Sequence, residues 1–240
     1  EAILRKQYAA DPGEFPIVRS LAFALAQQGR LGEAEEILKV YVEGHENDAE
    51  AFVALARFYL ATNEPAKIDA ASTAITRALT IDNNFLPALR ALVDLQVRRG
   101  ARAGILAACD RYLQQDPLNA EVLFAKASAL GREPGREEEA FAALDTAIGQ
   151  DRRPDYLALR GMLHLRQENY SQALSDLRQA SLDADTSAEV DAALAEAYWG
   201  LDELDLAQTY YESALAKATA QGGGRPPWLS RLEDKLGREN

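Results

Sequence analysis

The chain has 240 residues, of which 48% are apolar and 27% are charged, as is ordinary for a folded globular protein. Its formal net charge of -12 argues against nucleic acid as the main partner, because phosphate binding requires a net basic surface. No apolar run approaches the roughly 18 residues that cross a bilayer, so we expect no membrane insertion.

The first residues, 1–12, have the pattern of a helix tail that is closed by Asp11-Pro12. The chain contains one methionine, Met162, and it begins in the middle of a repeat pattern. We therefore expect a fragment or processed product, with a truncated upstream repeat at its start. Because a targeting signal would lie in that upstream part, the sequence leaves both cytoplasm and periplasm open.

Small or branched residues then recur in two series along the chain. Members of the first series are 34, 37, 34, 34 and 34 residues apart, and the second series follows it by a dozen to fifteen residues. The two series are Ala22, Ala56, Val93, Ala127, Gly161 and Ala195, and Ala34, Ala71, Ile105, Ala140, Ala173 and Ala207. Such a period is typical of a stacked repeat protein. It predicts six repeats at 15–48, 49–85, 86–119, 120–153, 154–187 and 188–221.

Each repeat contains two helical patterns separated by a turn. In the last repeat, Leu194, Ala195 and Tyr198 share one face of the first helix. A small residue on each helix lets the two backbones approach, while larger neighbours fill the surrounding grooves. Gly29 and Gly100 suit the turns, since glycine tolerates the left-handed conformation that closes a helix. One pair cannot bury its apolar face alone, so each repeat needs its neighbours.

This pattern closely resembles that of the tetratricopeptide repeat family, in which a large residue, Leu-Gly or Leu-Ala and an aromatic precede a later Ala, aromatic, Ala and Pro. The best matches are Leu194, Ala195, Tyr198, Ala207, Tyr211 and Ala214, and Phe52, Leu55, Ala56, Tyr59, Ala71 and Ala78. The resemblance covers residues 15–221. It implies an all-α fold, a right-handed α-solenoid of about six helix-turn-helix repeats with a C-terminal capping helix.

The third repeat departs most from the family pattern. Gln96 stands where an aromatic or leucine is usual, and Val93 and Ile105 occupy two of the small positions. The second repeat carries an insertion of about three residues within 62–69. We expect these changes to alter the superhelical curvature locally.

The repeat pattern stops at Gly222-Gly223-Gly224, which predicts a flexible link within a terminal segment, 222–240. Pro226-Pro227 then favours the start of a helix. An apolar stripe follows, made of Trp228, Leu229, Leu232 and Leu236. This segment is interpreted as a helix that caps the last repeat. The alternative is a binding segment for another molecule, with Trp228 as its anchor.

The chain lacks recognisable catalytic patterns: it has no glycine-rich phosphate loop, serine elbow or paired helical histidines. Cys109 is the only cysteine, and its apolar helical surroundings predict a buried structural thiol. The two histidines, His45 and His164, have no ligand spacing. We therefore expect no enzymatic activity, no cofactor and no metal site.

The resemblance implies that first-helix residues on an inner face bind the partner. Transferred by position, these are Arg19, Phe23, Arg57, Arg90, Asp94, Arg98, Phe124, Ser128, Met162, Arg166, Glu196 and Trp199. The first half of this set is arginine-rich and the second half is more apolar. Because arginine binds carboxylates bidentately and aromatic residues anchor partners, we expect a protein or peptide with an acidic portion. The alternative is that these arginines only pair with neighbours such as Asp94 and Glu50.

Two functional hypotheses follow for the whole chain. The preferred one is a non-catalytic adaptor. Its abundant alanine and its excess of arginine over lysine are common in GC-rich bacteria, and the resemblance to bacterial family members implies an envelope, secretion or assembly complex as one version. The other is the regulatory interaction arm of a larger enzyme or signalling protein whose active domain lies outside these residues. Self-association through the N-terminal end is a further expectation, because terminal repeats normally need a polar cap.

Overall fold

The structure is a computed structural model that describes residues 1–62, 64–182, 186–220 and 226–235. These residues form fourteen α-helices and no strand, which confirms the predicted all-α class. The helices are α1 (Ala2–Ala10), α2 (Phe15–Gln27), α3 (Leu31–Gly44), α4 (Ala49–Ala61), α5 (Lys67–Ile81), α6 (Leu86–Arg99), α7 (Arg102–Leu113), α8 (Ala120–Leu130), α9 (Glu137–Gln150), α10 (Pro154–Arg166), α11 (Tyr170–Ala180), α12 (Ala188–Gly200), α13 (Leu204–Ala220) and α14 (Pro227–Lys235). None of these described helices combines the length and apolar character that crossing a membrane requires.

The chain divides into two compact units, Glu1–Pro117 and Leu118–Asn240. In the first unit α2 packs on α3, α4 on α5 and α6 on α7, and α1 packs on α2. In the second unit α8 packs on α9, α10 on α11 and α12 on α13, and α14 packs on α12. First helices of successive pairs also touch, as α4 and α6 do in the first unit and α10 and α12 do in the second.

The small residues of the two sequence series lie at these helix contacts. Eleven of the twelve are buried, and Ile105 is half-buried. Ala34, Ala56, Ala71 and Ala207 have no exposed surface at all. Close backbone approach within each pair is therefore the physical basis of the repeat period.

Four turns inside the pairs place one residue in the same left-handed backbone conformation. Gly29 and Gly100 have φ of +75° and +63°, the left-handed values predicted for them. Glu168 and Asp202 hold the same conformation in later repeats, with φ of 57° and 63°. The turn geometry is thus kept where glycine is absent, because the flanking helix pair fixes it.

In the third pair, α6 and α7, a glycine on one helix faces the large Gln96 side chain on the other. Gln96 of α6 lies against Gly104 of α7, where an added Cβ would be only 2.4 Å from the Gln96 Oε1 atom. Val93 is almost fully buried at 2% exposure. The lack of a side chain at Gly104 therefore leaves room for the Gln96 side chain.

Two further sequence predictions concern buried contacts. Cys109 is fully buried, as expected for a structural thiol. Leu229 and Leu232 of α14 pack with Ala195 of α12 and Tyr211 of α13, so α14 covers the apolar face of the last helix pair. The predicted link at Gly222–Gly224, and Leu236 in the predicted stripe, lie outside the described residues.

Gly161→Ala is expected to destabilise the second unit by about 1 kcal/mol. The added Cβ would lie 2.7 Å from Leu177 Cγ and 3.2 Å from the Ala173 carbonyl oxygen. Such overpacking costs about 1–3 kcal/mol, which outweighs a gain of up to about 1 kcal/mol in helix propensity. Urea unfolding would measure the difference.

The matched control is Gly149→Ala in α9, where an added Cβ meets no atom within 4 Å. This change should leave stability equal or slightly higher. A Gly161→Ala protein as stable as the Gly149→Ala protein would contradict the close approach of α10 and α11.

Candidate partner-binding grooves

An apolar groove, here called the first groove, runs over α2, α4 and the start of α6 in the first unit. It has a volume of about 620 Å³. Its apolar lining includes Phe23, Val53, Ala54, Phe58 and Phe85. Phe23 is 66% exposed, whereas phenylalanine is usually buried in folded proteins. The groove therefore offers an aromatic surface of the kind that marks interaction sites.

Three charged side chains line the first groove: Arg19, Glu50 and Arg57. Arg19 Nη1 donates to Glu50 Oε1 at 2.6 Å across α2 and α4. Arg57 is exposed and makes no ion pair or side-chain hydrogen bond with any of the described residues. Among the described residues, Arg57 is thus the charged side chain of this lining whose guanidinium has no partner.

A second groove lies within the second unit, over α10, α12 and α14. It is smaller, about 220 Å³, and its apolar lining includes Met162, Ala192, Ala193, Trp228 and Leu232. Trp228 and Leu232 come from α14, so the terminal helix forms one wall of this groove. The indole N–H of Trp228 is buried and has no hydrogen-bond acceptor among the described residues.

The charged lining of the second groove consists of Arg166, Glu189 and Glu196. Arg166 donates through Nη1 to the main-chain carbonyl of Gly131 at the end of α8. Glu196 is buried, with 7% exposure, whereas Glu189 is exposed. The charged lining of the second groove therefore comprises two carboxylates and one guanidinium, and both Arg166 and Glu196 already interact within the chain.

Of the twelve predicted partner-binding residues, three line the first groove, three line the second and six line neither. Arg19, Phe23 and Arg57 meet in the first groove, and Met162, Arg166 and Glu196 meet in the second. The structure places the other six, Arg90, Asp94, Arg98, Phe124, Ser128 and Trp199, in the lining of neither groove.

Several of these six have structural contacts instead. Arg90 Nε donates to Asp94 at 3.2 Å within α6. Phe124 stacks on Tyr156 with ring centroids 4.9 Å apart. Trp199 packs against the core formed by α10 to α13. Arg90 therefore pairs with Asp94, as Arg19 pairs with Glu50.

The sequence did not indicate some groove residues. Phe58 and Phe85 line the first groove, and Glu189 lines the second. Glu50 and Glu189 hold the same repeat position, so comparison of repeats two and six would have found this pair. No such signal exists for Phe85, which precedes α6, whereas Trp228 belongs to the apolar stripe that the sequence shows within 222–240.

Comparisons with known proteins agree with this architecture. A family model described as "Tetratricopeptide repeat" matches residues 192–216. No curated protein matches the chain in sequence.

Solved structures of similar fold cover most of the chain. PilF from Pseudomonas aeruginosa is 16% identical, with a TM-score of 0.74 over 91% of this chain and 96% of its own. PilW, a type IV pilus biogenesis factor, is 15% identical, with a TM-score of 0.71 over 90% and 97%. YrrB, a tetratricopeptide repeat protein with an unusual peptide-binding site, is 14% identical, with a TM-score of 0.65 over 83% and 98%.

Identities this low show the shared fold alone. The family model matches α12 and α13, the helix pair in which the sequence pattern is also most complete. The matched segment therefore identifies one tetratricopeptide repeat in the chain, and the solved structures show that the whole chain shares the fold of tetratricopeptide repeat proteins.

Proposed function

We propose that this chain is a non-catalytic interaction scaffold whose first groove binds a partner segment with apolar side chains and an acidic residue. The observation that carries the proposal is that the exposed Phe23 and Arg57, which pairs with none of the described residues, line the same apolar groove of about 620 Å³. A groove of this size falls in the range of ligand sites, about 300–1,000 Å³. YrrB, which shares the fold, is described as having a peptide-binding site.

The apolar contacts and the charge have different roles in this proposal. Burying one leucine or phenylalanine side chain of a partner stabilises a complex by about 1.5–3 kcal/mol. An exposed ion pair contributes only about 0–1 kcal/mol. The aromatic lining therefore supplies most of the affinity, and Arg57 selects partners with a carboxylate at the matching place.

Arg57→Glu is expected to reverse the charge preference of the peptides that bind. Selection from a random peptide library on the wild-type chain should enrich Asp or Glu next to aromatic or aliphatic residues. Selection on the Arg57→Glu chain should enrich Lys or Arg in their place, because like charges across a contact are unfavourable.

Two further variants control this selection. Lys6→Glu makes the same change of charge on an exposed residue of α1, away from the groove, and should leave the selected peptides unchanged. Phe23→Ser should lower the affinity of every selected peptide by about tenfold or more, since it removes aromatic contact area. Identical peptides from the wild-type and Arg57→Glu chains would refute the role of Arg57.

The narrower version of the proposal is a scaffold in a bacterial envelope assembly. It is supported by the likeness in fold to PilW, a pilus biogenesis factor, and to PilF. A complementation assay tests it: the chain should restore pilus assembly in a strain that lacks PilW. Failure to do so would limit the proposal to protein binding in general.

A further inference from the structure

A third groove lies in the first unit, on the side of α4 opposite to the first groove. It has a volume of about 700 Å³ and runs between α3 and α5, over α4. From α4 it is lined by Phe52, Leu55 and Tyr59, whereas the first groove is lined by Glu50 and Arg57 among others. Successive residues of a helix are about 100° apart, so these two sets lie on opposite faces of α4. One helix therefore lines two separate grooves.

The floor of the third groove is apolar, and its α5 wall carries short side chains. Leu55 and Tyr59 are buried, and Phe52 is half-buried beside them. The short side chains of the α5 wall are those of Ala70, Thr73 and Ala74. Small residues on one wall let another element approach closely, because nothing long projects across the groove.

Polar side chains that line the third groove have partners within the chain. Lys39 Nζ lies 2.6 Å from Glu35 Oε1, and the Tyr59 hydroxyl donates to the same oxygen at 3.3 Å. Arg77 Nη2 donates to the main-chain carbonyl of Glu46 at 3.1 Å. These groups are therefore already engaged before any ligand arrives.

The floor and both walls of the third groove are helices, whose main-chain groups bond within each helix. The hydroxyl of Thr73 likewise donates to the main-chain carbonyl of Asp69 at 3.0 Å. An extended peptide in this groove would leave its own main-chain N–H and C=O groups without partners, which is costly. A helical segment satisfies these groups internally, so the third groove favours a helix as its occupant.

The charge left over in the third groove is negative. Arg77 lies 3.6 Å from the Glu46 carboxylate, whereas Glu43 is exposed and makes no ion pair or side-chain hydrogen bond with any described residue. Val40, which is 50% exposed, and Glu36 continue the outer face of α3 next to Glu43. This rim and the net charge of -12 both complement a basic partner.

We propose that the third groove binds an amphipathic helix of a partner protein that carries lysine or arginine beside its apolar face. The apolar residues of this helix lie over Phe52 and Leu55, and a basic residue lies at Glu43. The inference goes beyond the proposed function, which concerns the first groove, and shares with it only that the partner is a protein segment. The chain thus has one docking surface on each side of α4.

The test uses three labelled peptides of about 15 residues with leucines at helical spacing. The first has lysines beside the leucines, the second has glutamates in their place, and the third is the lysine peptide with a central proline that breaks the helix. Fluorescence anisotropy measures the affinity of each peptide for the full chain. The lysine peptide should bind at least about tenfold more tightly than either of the others.

Two variants place the binding in the third groove. Thr73→Trp fills the groove from an exposed position of its wall and should weaken the lysine peptide by at least about tenfold. Glu43→Lys should weaken it by about threefold or more, because a favourable charge becomes a repulsive one.

Thr76→Trp is the matched control. Thr76 is an exposed threonine of α5 outside the groove lining, and its hydroxyl donates to the carbonyl of Ser72 as that of Thr73 does to Asp69. This variant should bind the lysine peptide as the wild-type chain does.

Three results would overturn the inference: lysine and glutamate peptides of equal affinity, full affinity in the Thr73→Trp chain, or equal losses in the Thr73→Trp and Thr76→Trp chains. An absence of binding by the lysine peptide would do the same. Peptides selected through Arg57 should bind the Thr73→Trp chain as tightly as the wild-type chain. The two grooves are therefore judged on separate data, and either proposal can fail without the other.

Discussion

Arg160→Met is expected to lower the free energy of unfolding of the second unit by about 3 kcal/mol or more. Arg160 Nε and Nη2 each lie 2.7 Å from an oxygen of Asp176, and Arg160 Nη1 lies 2.6 Å from Asp145 Oδ1. The hydrogen bonds to Asp176, which have the largest effect, and to Asp145 raise the pKa of Arg160, although its partial burial acts in the opposite direction. The Asp176 side chain is only 7% exposed, so removal of Arg160 leaves a buried carboxylate without its cation.

Urea unfolding followed by tryptophan fluorescence measures this loss, since Trp199 and Trp228 both lie in the second unit. The double variant Arg160→Met/Asp176→Leu should regain much of the lost stability, because it removes both buried charges. Asp145→Asn should cost less than about 1 kcal/mol, as the Asp145 side chain is 62% exposed. A double variant no more stable than Arg160→Met would show that the buried carboxylate is not the cause.

Ala207→Arg should destabilise the second unit by at least about 3 kcal/mol. Ala207 is fully buried in a cluster that includes Ala173, Leu194 and Tyr198. An arginine there overpacks the contact, which alone costs about 1–3 kcal/mol, and it also buries a charge. The midpoint of thermal unfolding, recorded by circular dichroism, should fall by many degrees.

Glu203→Arg is the matched control, because it introduces the same side chain at an exposed position just before α13. Its midpoint should stay close to that of the wild-type chain. Equal losses at positions 203 and 207 would refute the assignment of the small residues of the sixth repeat to the helix contact.

The fold could be predicted from the sequence because its determinants recur. A residue such as Ala56 or Gly161 has to be small wherever two helices approach, so the requirement appears at each repeat. The turns show the limit of this reasoning: Glu168 takes the left-handed conformation of Gly29 without any sequence signal. There the packed helices, rather than the residue type, fix the backbone.

The candidate sites could be predicted only in part. Position in the repeat predicted Phe23, Arg57 and Glu196 as partner-binding residues, and all three line a groove. It did not separate Arg57 from Arg19, because the pairing of Arg19 with Glu50 joins residues from different helices. Position in the repeat also could not predict that Trp228 lines a groove, because Trp228 lies after the last repeat and has no equivalent in the earlier ones.

The amino-acid sequence by itself determined the helical class and the pairing of the helices. The regular spacing of small residues along the chain is sufficient to predict these features, because helix packing depends on side-chain size at regular intervals. Only the tertiary structure decided which arginine stays unpaired, and that α14 closes a groove around Glu196. Both depend on contacts between side chains distant in sequence, and no local pattern encodes which of those contacts form.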